Sequence, residues 1–365
     1  MILVNSRQLS VVSCQLTVPC QLANWKLFAV VCLMLAVGSC KSDQPNPRPE
    51  NPSISLANSS NVIIANEGNF QFGNASVSFL NGQTGQVSSD VFRPANGRDL
   101  GDVAQSAIVW NNRLYVVVNN SKKIEVLDLN NFRSTGTISG LVSPRYMLPV
   151  SNSKAYVSDL YANAISVVDL NSLSITKTIP CKGWTEKMIL HLGKVYVTNY
   201  WQSYLYVIDP VTDTKTDSIF VGKGAKSIVA DKKDRIIVAC GGYKTAQSDT
   251  RLVFINLNGN KIEKTIAISV NYPSSLSINA SKDTLYFLNK NVYKLSVEDT
   301  QVGAPFILKG TRELYNLSVD VRTNQVFVSD AVDFVQIGKV YVYSPLGAEL
   351  AKFEAGITPG DFCFY

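Results

Sequence analysis

The chain has 365 residues, 34 basic and 28 acidic side chains, and hydrophobic types make up 46% of it. This is a globular composition with ample apolar material for cores. The net charge of +6 is small and its basic residues are scattered rather than clustered, which excludes a nucleic-acid-binding protein.

Residues 27–37 are an apolar run preceded by Lys26. The run is too short for a permanent transmembrane helix and fits a signal-peptide core. Val37-Gly38-Ser39-Cys40 follows and resembles a bacterial lipobox. That resemblance makes residues 1–39 a removed signal region, of which 1–25 fit an over-long start, and Cys40 the lipidated first residue. Without Arg7 and Lys26 the 34 basic residues become 32 against 28 acidic ones, a net +4. Lys41-Ser42-Asp43 resembles the surface-export signal of Bacteroidota lipoproteins. The expected location is therefore the outer membrane, facing outward, with membrane contact through the lipid only. Pro45, Pro47, Pro49 and Pro52 mark residues 40–59 as a stiff tether without a core of its own.

From residue 60 onward one pattern recurs. Arg113-Leu-Tyr-Val-Val, a polar stretch and Ile124-Glu-Val-Leu-Asp128 are echoed by Lys154–Ser158 with Ile165–Asp169 and by Lys194–Thr198 with Leu205–Asp209. Further copies start at Arg235, Thr284 and Gln325. The equivalent residues Leu114, Ala155, Val195, Ile236, Leu285 and Val326 are spaced 41, 40, 41, 49 and 41 apart. A period near forty built wholly of strands predicts an all-β fold, a β-propeller with one four-stranded antiparallel blade per repeat. In the first full repeat the strands are 106–110, 114–118, 124–127 and 134–138. Six sets start near Ala104, Arg145, Glu186, Lys226, Ser274 and Leu314. Residues 62–92 supply three outer strands without an inner one, and Gly360–Tyr365 supplies one inner strand and stops. Together they make a seventh blade, closed by the C-terminal strand, in a single domain of residues 60–365. The long stretch Gly241–Arg251 accounts for the step of 49. Cys181, Cys240 and Cys363 form no CxxC or Cys/His cluster. Cys240 and Cys363 are expected in inner strands, as small buried apolar residues.

Propellers bind at one mouth of the central channel, where the loops between second and third strands meet the loops between blades. The strand-joining loops hold Asn66, Glu67, Phe70, Phe72, Asn120, Asp159, Tyr161, Tyr200, Trp201, Tyr243, Asp330 and Phe334. The inter-blade loops add Arg145, Trp184, Tyr272 and Arg312. Aromatic rings offer flat apolar area at little entropic cost, and the polar residues add directional bonds. The set suits a large, flat, partly polar small molecule or a glycan. Chemistry fits poorly, and no cofactor or metal is expected. The single histidine, His191, belongs to a solvated turn at the opposite mouth, and Glu67 has no visible carboxylate partner. Asp128, Asp169 and Asp209 recur at one blade position and read as turn stabilisers.

Tyr196-Val197-Thr198-Asn199 matches the signature of YVTN-type surface propellers, with variants at Tyr156–Asp159 and Phe327–Asp330. The lipobox, the Pro-rich tether and the opening loop Asn66-Glu67-Gly68 together resemble the surface lipoprotein propellers of Bacteroidota. One branch of that group captures cobalamin and passes it to a TonB-dependent transporter. The resemblance implies a ligand-binding protein without turnover, with a corrinoid such as vitamin B12 as the first ligand to test and an outer-membrane transporter as possible partner. A protein- or glycan-interaction module is the alternative, and a lactonase- or quinoprotein-like enzyme the weaker one.

Overall fold

A computed structural model describes residues 60–242, 250–268 and 273–365. The signal region, Cys40 and the tether lie outside the described residues. Among the described residues no helix is long and apolar enough to cross a membrane.

The chain forms seven antiparallel sheets. The first contains β1 (Val62–Asn66), β2 (Ser76–Leu80) and β3 (Val87–Ser88), followed by a short helix α1 (Phe92–Asn96). The second holds β4 (Ala104–Trp110), β5 (Arg113–Val118), β6 (Lys123–Asp128) and β7 (Ser134–Ile138). The third holds β8 (Pro144–Pro149), β9 (Lys154–Asp159), β10 (Ala164–Asp169) and β11 (Ser174–Pro180). The fourth holds β12 (Thr185–His191), β13 (Lys194–Asn199), β14 (Tyr204–Asp209) and β15 (Thr214–Phe220). The fifth holds β16 (Ala225–Ala230), β17 (Ile236–Cys240), β18 (Arg251–Asn256) and β19 (Lys261–Ala267). The sixth holds β20 (Leu276–Ile278), β21 (Thr284–Asn289) and β22 (Asn291–Ser296), and Ile307 bridges Val292 where a fourth strand would lie. The seventh holds β23 (Leu314–Val319), β24 (Val326–Asp330), β25 (Ile337–Tyr343) and β26 (Glu349–Ile357). The last strand, β27 (Pro359–Phe364), pairs with β1 and completes the first sheet, in register from Val62↔Phe364 to Ala65↔Asp361 and slipping by one residue at Asn66↔Pro359.

Burial grades outward along each blade. The second strands are buried on both faces, as in β13 and β24, because each lies between two neighbouring sheets. Their continuous runs of Val, Ile and Tyr suit that position. The outermost strands β11 and β15 bury little beyond a single isoleucine each and are otherwise mostly Ser, Thr and Lys facing water.

Seven apolar clusters lie one at each junction between sheets. Tyr115 and Val117 of β5 meet Ala155 and Val157 of β9, and Leu205 and Val207 meet Ile236 and Val238. At the seam Val62 and Ile64 pack on Phe327, Val340 and Val342, with Phe362 of β27 joining them. The residues alternating with these, Ile63 and Ala65, face the second sheet. The seam is therefore built like every other junction, and the seven-bladed ring closes on the sheet shared by both ends of the domain. Among the described residues the seven cores are built from Val62 onward, one at each junction.

Three sequence expectations need adjustment. Cys240 is buried but ends a second strand, not an inner one. His191 ends β12, mostly buried, with Nε2 3.2 Å from Asp234 Oδ1, and is not a solvated turn residue. The wide step has two sources: the connection from Gly241 to Thr250 and the longer passage from Ile268 to Ser275 ahead of β20. Asp128, Asp169 and Asp209 do cap turns, accepting amide hydrogens two residues on at 2.9, 3.0 and 2.8 Å.

Candidate functional site

The inner strands share an irregularity near their start. The register slips between Ala104 and Ser106, Pro144 and Met147, Thr185 and Met188, Ala225 and Ser227, and Leu314 and Leu317. A bulge adds a residue to one strand and re-aims its side chains. Here the bulged residues are Gln105, Arg145-Tyr146, Glu186-Lys187, Lys226 and Tyr315-Asn316. Most of them line a cavity of about 640 Å³ at the channel mouth, together with Glu67, Phe70, Phe72 and Phe334 from the loops. That volume falls within the range of about 300–1,000 Å³ usual for small-molecule sites. A smaller cavity of about 190 Å³ lies further along the inner strands, among Ser106, Met147, Met188 and Ile228. Tyr146 and Lys187 border both cavities and so mark the waist of the channel.

The wall is charged. Glu186 is fully buried and accepts hydrogen bonds from Arg145 Nη2 at 3.0 Å and Nε at 3.2 Å, and from the Trp184 indole at 2.5 Å. Arg145 also donates to Gln105 Oε1 and lies 5.8 Å from the Trp184 ring. Burial alone would lower the Arg145 pKa, but Glu186 and the neighbouring groups, Glu67 among them, together outweigh it and the guanidinium is held more firmly protonated than usual. Glu67 accepts the Tyr315 hydroxyl at 2.9 Å. Desolvation raises its pKa above 4.5, opposed by the Tyr315 bond, Arg145 and Lys226. Desolvation also lowers the Lys226 pKa, with Glu186 acting against it. Asp361 of β27, in the smaller cavity, is likewise raised by burial and receives the Ala107 amide at 3.2 Å.

The opening loop has a local logic. Asn66 Nδ2 donates to Ser78 Oγ at 2.8 Å and its Oδ1 accepts the Gly356 amide at 3.0 Å. Gly68 has φ 74°, and a Cβ there would sit 2.8 Å from the Ala75 backbone nitrogen. Between these two fixed points Glu67 turns into the channel. Gly360 makes room for it, since a Cβ at 360 would meet Glu67 Oε1 at 2.8 Å.

Of the residues named from sequence, Glu67, Phe70, Phe72, Arg145 and Phe334 come together on the cavity wall. Phe334 stacks edge-on with Tyr315 at 5.5 Å. Asn66, Asp159 and Asp330 do not face the cavity. They are buried and committed to neighbouring groups, Asn66 to serine hydroxyls and the Gly356 amide, Asp159 accepting the amides of Val142, Ser143, Tyr161 and Ala162 at 2.8–3.2 Å and Asp330 those of Glu313 and Val332. Arg312 folds back on its own blade, over the Tyr341 ring and against the Tyr343 hydroxyl. Asn120 bonds Asp102. Trp184, Tyr200 and Trp201 pack on one another at 4.8–6.0 Å outside the cavity, and Tyr161 stands exposed. Tyr243 and Tyr272 lie outside the described residues. Gln105, Asn119, Tyr146, Lys187, Lys226, Tyr315 and Asn316 line the cavity without having been picked out as site residues. Asn119 follows a second strand; the signal of the others was a polar or aromatic polar side chain one or two places into an inner strand. Among the described residues no three His, Cys, Asp or Glu side chains converge as a metal-ligating group.

Fold and site define a seven-bladed β-propeller with a charged, aromatic-rimmed cavity in its channel. The chain belongs to the family described as a domain of unknown function, DUF5074, matched over residues 61–353. No curated protein matches it. Among solved structures it is similar to a quinonprotein alcohol dehydrogenase-like protein from Bacteroides thetaiotaomicron VPI-5482, with TM-score 0.65 and 16% identity over 87% of this chain and 79% of that one. It is also similar to the hydrazine synthase of Kuenenia stuttgartiensis, with TM-score 0.57 and 12% identity over 71% of this chain and 89% of that one. At these identities the likeness is one of fold.

Proposed function

We propose that this is a surface-anchored lipoprotein that binds a small molecule in the channel mouth without turning it over. The observation that carries the reading is the cavity of about 640 Å³, which joins exposed rings of Phe70, Phe72 and Phe334 to the charged groups Glu67, Arg145, Lys187 and Lys226. Rings at the rim favour a flat body and the polar floor fixes its orientation. Anchoring through Cys40, exposure on the outer membrane and delivery to a transporter rest on the N-terminal motifs and on the resemblance to Bacteroidota surface propellers. The same resemblance selects a corrinoid as the first ligand. The test is equilibrium titration of residues 42–365 with cyanocobalamin. Saturable binding below micromolar concentration supports the corrinoid, and none at high micromolar concentration removes it.

A second reading, a glycan- or protein-interaction module, has one observation in its favour. Trp184, Tyr200 and Trp201 form an aromatic cluster beside the mouth, with Trp201 about half exposed at 51%. Recovery of polysaccharide alone in a pull-down would favour it. Recovery of an outer-membrane transporter would favour the first.

A further inference from the structure

The charges of the large cavity are not equally satisfied. Arg145 is held by Glu186 and Gln105, and Glu67 by Tyr315. Two lysines on adjacent inner strands are left. The Lys187 ammonium lies 5.4 Å from the Tyr146 ring, and among the described residues no carboxylate lies within 4.0 Å of it or of Lys226. Neither amine has a hydrogen-bond acceptor among the described residues, although each carries three donors. Both residues are half-buried and neither amine is among the buried unpartnered atoms, so both stand as cations open to the cavity. A ligand carboxylate could exchange the water around them for charge-assisted hydrogen bonds.

The surrounding electrostatics agree. Glu186 is neutralised by direct contact with Arg145. Burial moves Glu67 and Asp361, the remaining carboxylates, towards their uncharged forms. Lys187 and Lys226 are thus the cations least compensated in the channel. Above them stand the exposed rings of Phe70, Phe72 and Phe334. We propose that the cavity takes an organic acid with a flat apolar body, its carboxylate held at the channel waist by Lys187 and Lys226 and its body against the rim rings. This deepens, and rests on, the reading of the mouth as a small-molecule site.

The test compares 2-naphthoate with its neutral isostere 2-naphthamide, titrated into residues 42–365 by ligand-observed NMR at pH 7. Charge-assisted hydrogen bonds predict about 10-fold tighter binding of the acid. Lys226→Gln and Lys187→Gln should each reduce acid affinity towards that of the amide and leave the amide unchanged, and Lys226→Arg should keep the preference. Equal binding of acid and amide, or a preference that survives both glutamine substitutions, overturns the acid subsite and leaves the mouth reading standing. Failure of both compounds to bind at millimolar concentration overturns the acid subsite, while the mouth reading stands or falls on the cyanocobalamin titration. The wild-type comparison decides even if Lys226→Gln does not fold.

Discussion

Two sets of polar residues ring the mouth and do opposite work. One set ends the second strands: Asn66, Asn119, Asp159, Asn199, Asn289 and Asp330, all buried. The other set enters the inner strands at their bulges: Gln105, Arg145, Glu186, Lys226 and Asn316. Members of the first set tie neighbouring segments together through backbone and serine groups. Asn119 reaches Ser143 and Pro144 of the next blade at 3.1 and 2.8 Å, and Asn199 reaches the Lys182 carbonyl at 2.8 Å. The second set has its backbone pushed out of ladder register, and its side chains meet in the channel. Short Asx side chains fit the first task because their reach matches a neighbouring amide. Long charged or amide side chains fit the second because they must cross towards the axis. Polar residues near a propeller mouth therefore do not by themselves mark a ligand site; of the first set only Asn119 reaches the cavity wall among the described residues.

The largest expected effect tests the frame that both sets stand on. Removing Pro359–Tyr365 strips β1 of its inner partner and takes Phe362, Cys363, Phe364 and Tyr365 from the two cores beside the seam. Burying one large apolar side chain contributes about 1.5–3 kcal/mol, and the ladder is lost as well. The truncated chain should be insoluble or should unfold about 10 °C lower or more in calorimetry. Unchanged unfolding would mean that the ring does not close through this strand.

The architecture was legible because each repeat states its own period. Leu114, Ala155 and Val195 recur at almost equal spacing, and the half-blades at the ends announce their union. The site was only partly legible. Phe70, Phe72 and Phe334 could be found because large rings on polar loops have no reason to be there if they only coat a turn. Lys187 and Lys226 were hidden in strands where an alternating pattern explains every second residue facing away from a core. Only the bulge shows that these two turn towards the axis, and a bulge is a property of pairing, which one strand's sequence does not state. Asp159 misled in the other direction, because its carboxylate satisfies four amides that the sequence does not place near it.

The Asx set gives the next effect in size. Asp159→Ala leaves four amides without their acceptor, two of them in the passage into β8. Loss of charge-assisted bonds at a buried position should cost about 3 kcal/mol. Chemical denaturation should report that loss with the slope unchanged. In the fraction still folded, ligand affinity should match that of the parent. A large loss of affinity at full stability would place Asp159 in the site and erase the distinction between the two sets.

The smallest effect concerns Glu67, the loop carboxylate that faces the second set across the cavity, and its response to pH. Most paired carboxylates in this fold, Asp213 and Glu263 among them, are pulled below their usual range. Glu67 goes the other way, since burial disfavours its ionised form. With the folded pKa above the unfolded value of 4.5, the folded state holds a proton that the unfolded state has released. The contribution to stability is therefore unfavourable in full above the folded pKa and disappears as pH falls below 4.5. Glu67→Gln keeps an acceptor for the Tyr315 hydroxyl and removes the ionisation. The substitution should raise the melting temperature more at pH 7.5 than at pH 4, by a modest amount. A gain of the same size at both values would show that folding leaves the Glu67 pKa unshifted, and a loss confined to pH 7.5 would show that Arg145 and Lys226 stabilise an ionised Glu67. The channel would then already supply an anion for Lys226, and a carboxylate ligand would have to compete with it.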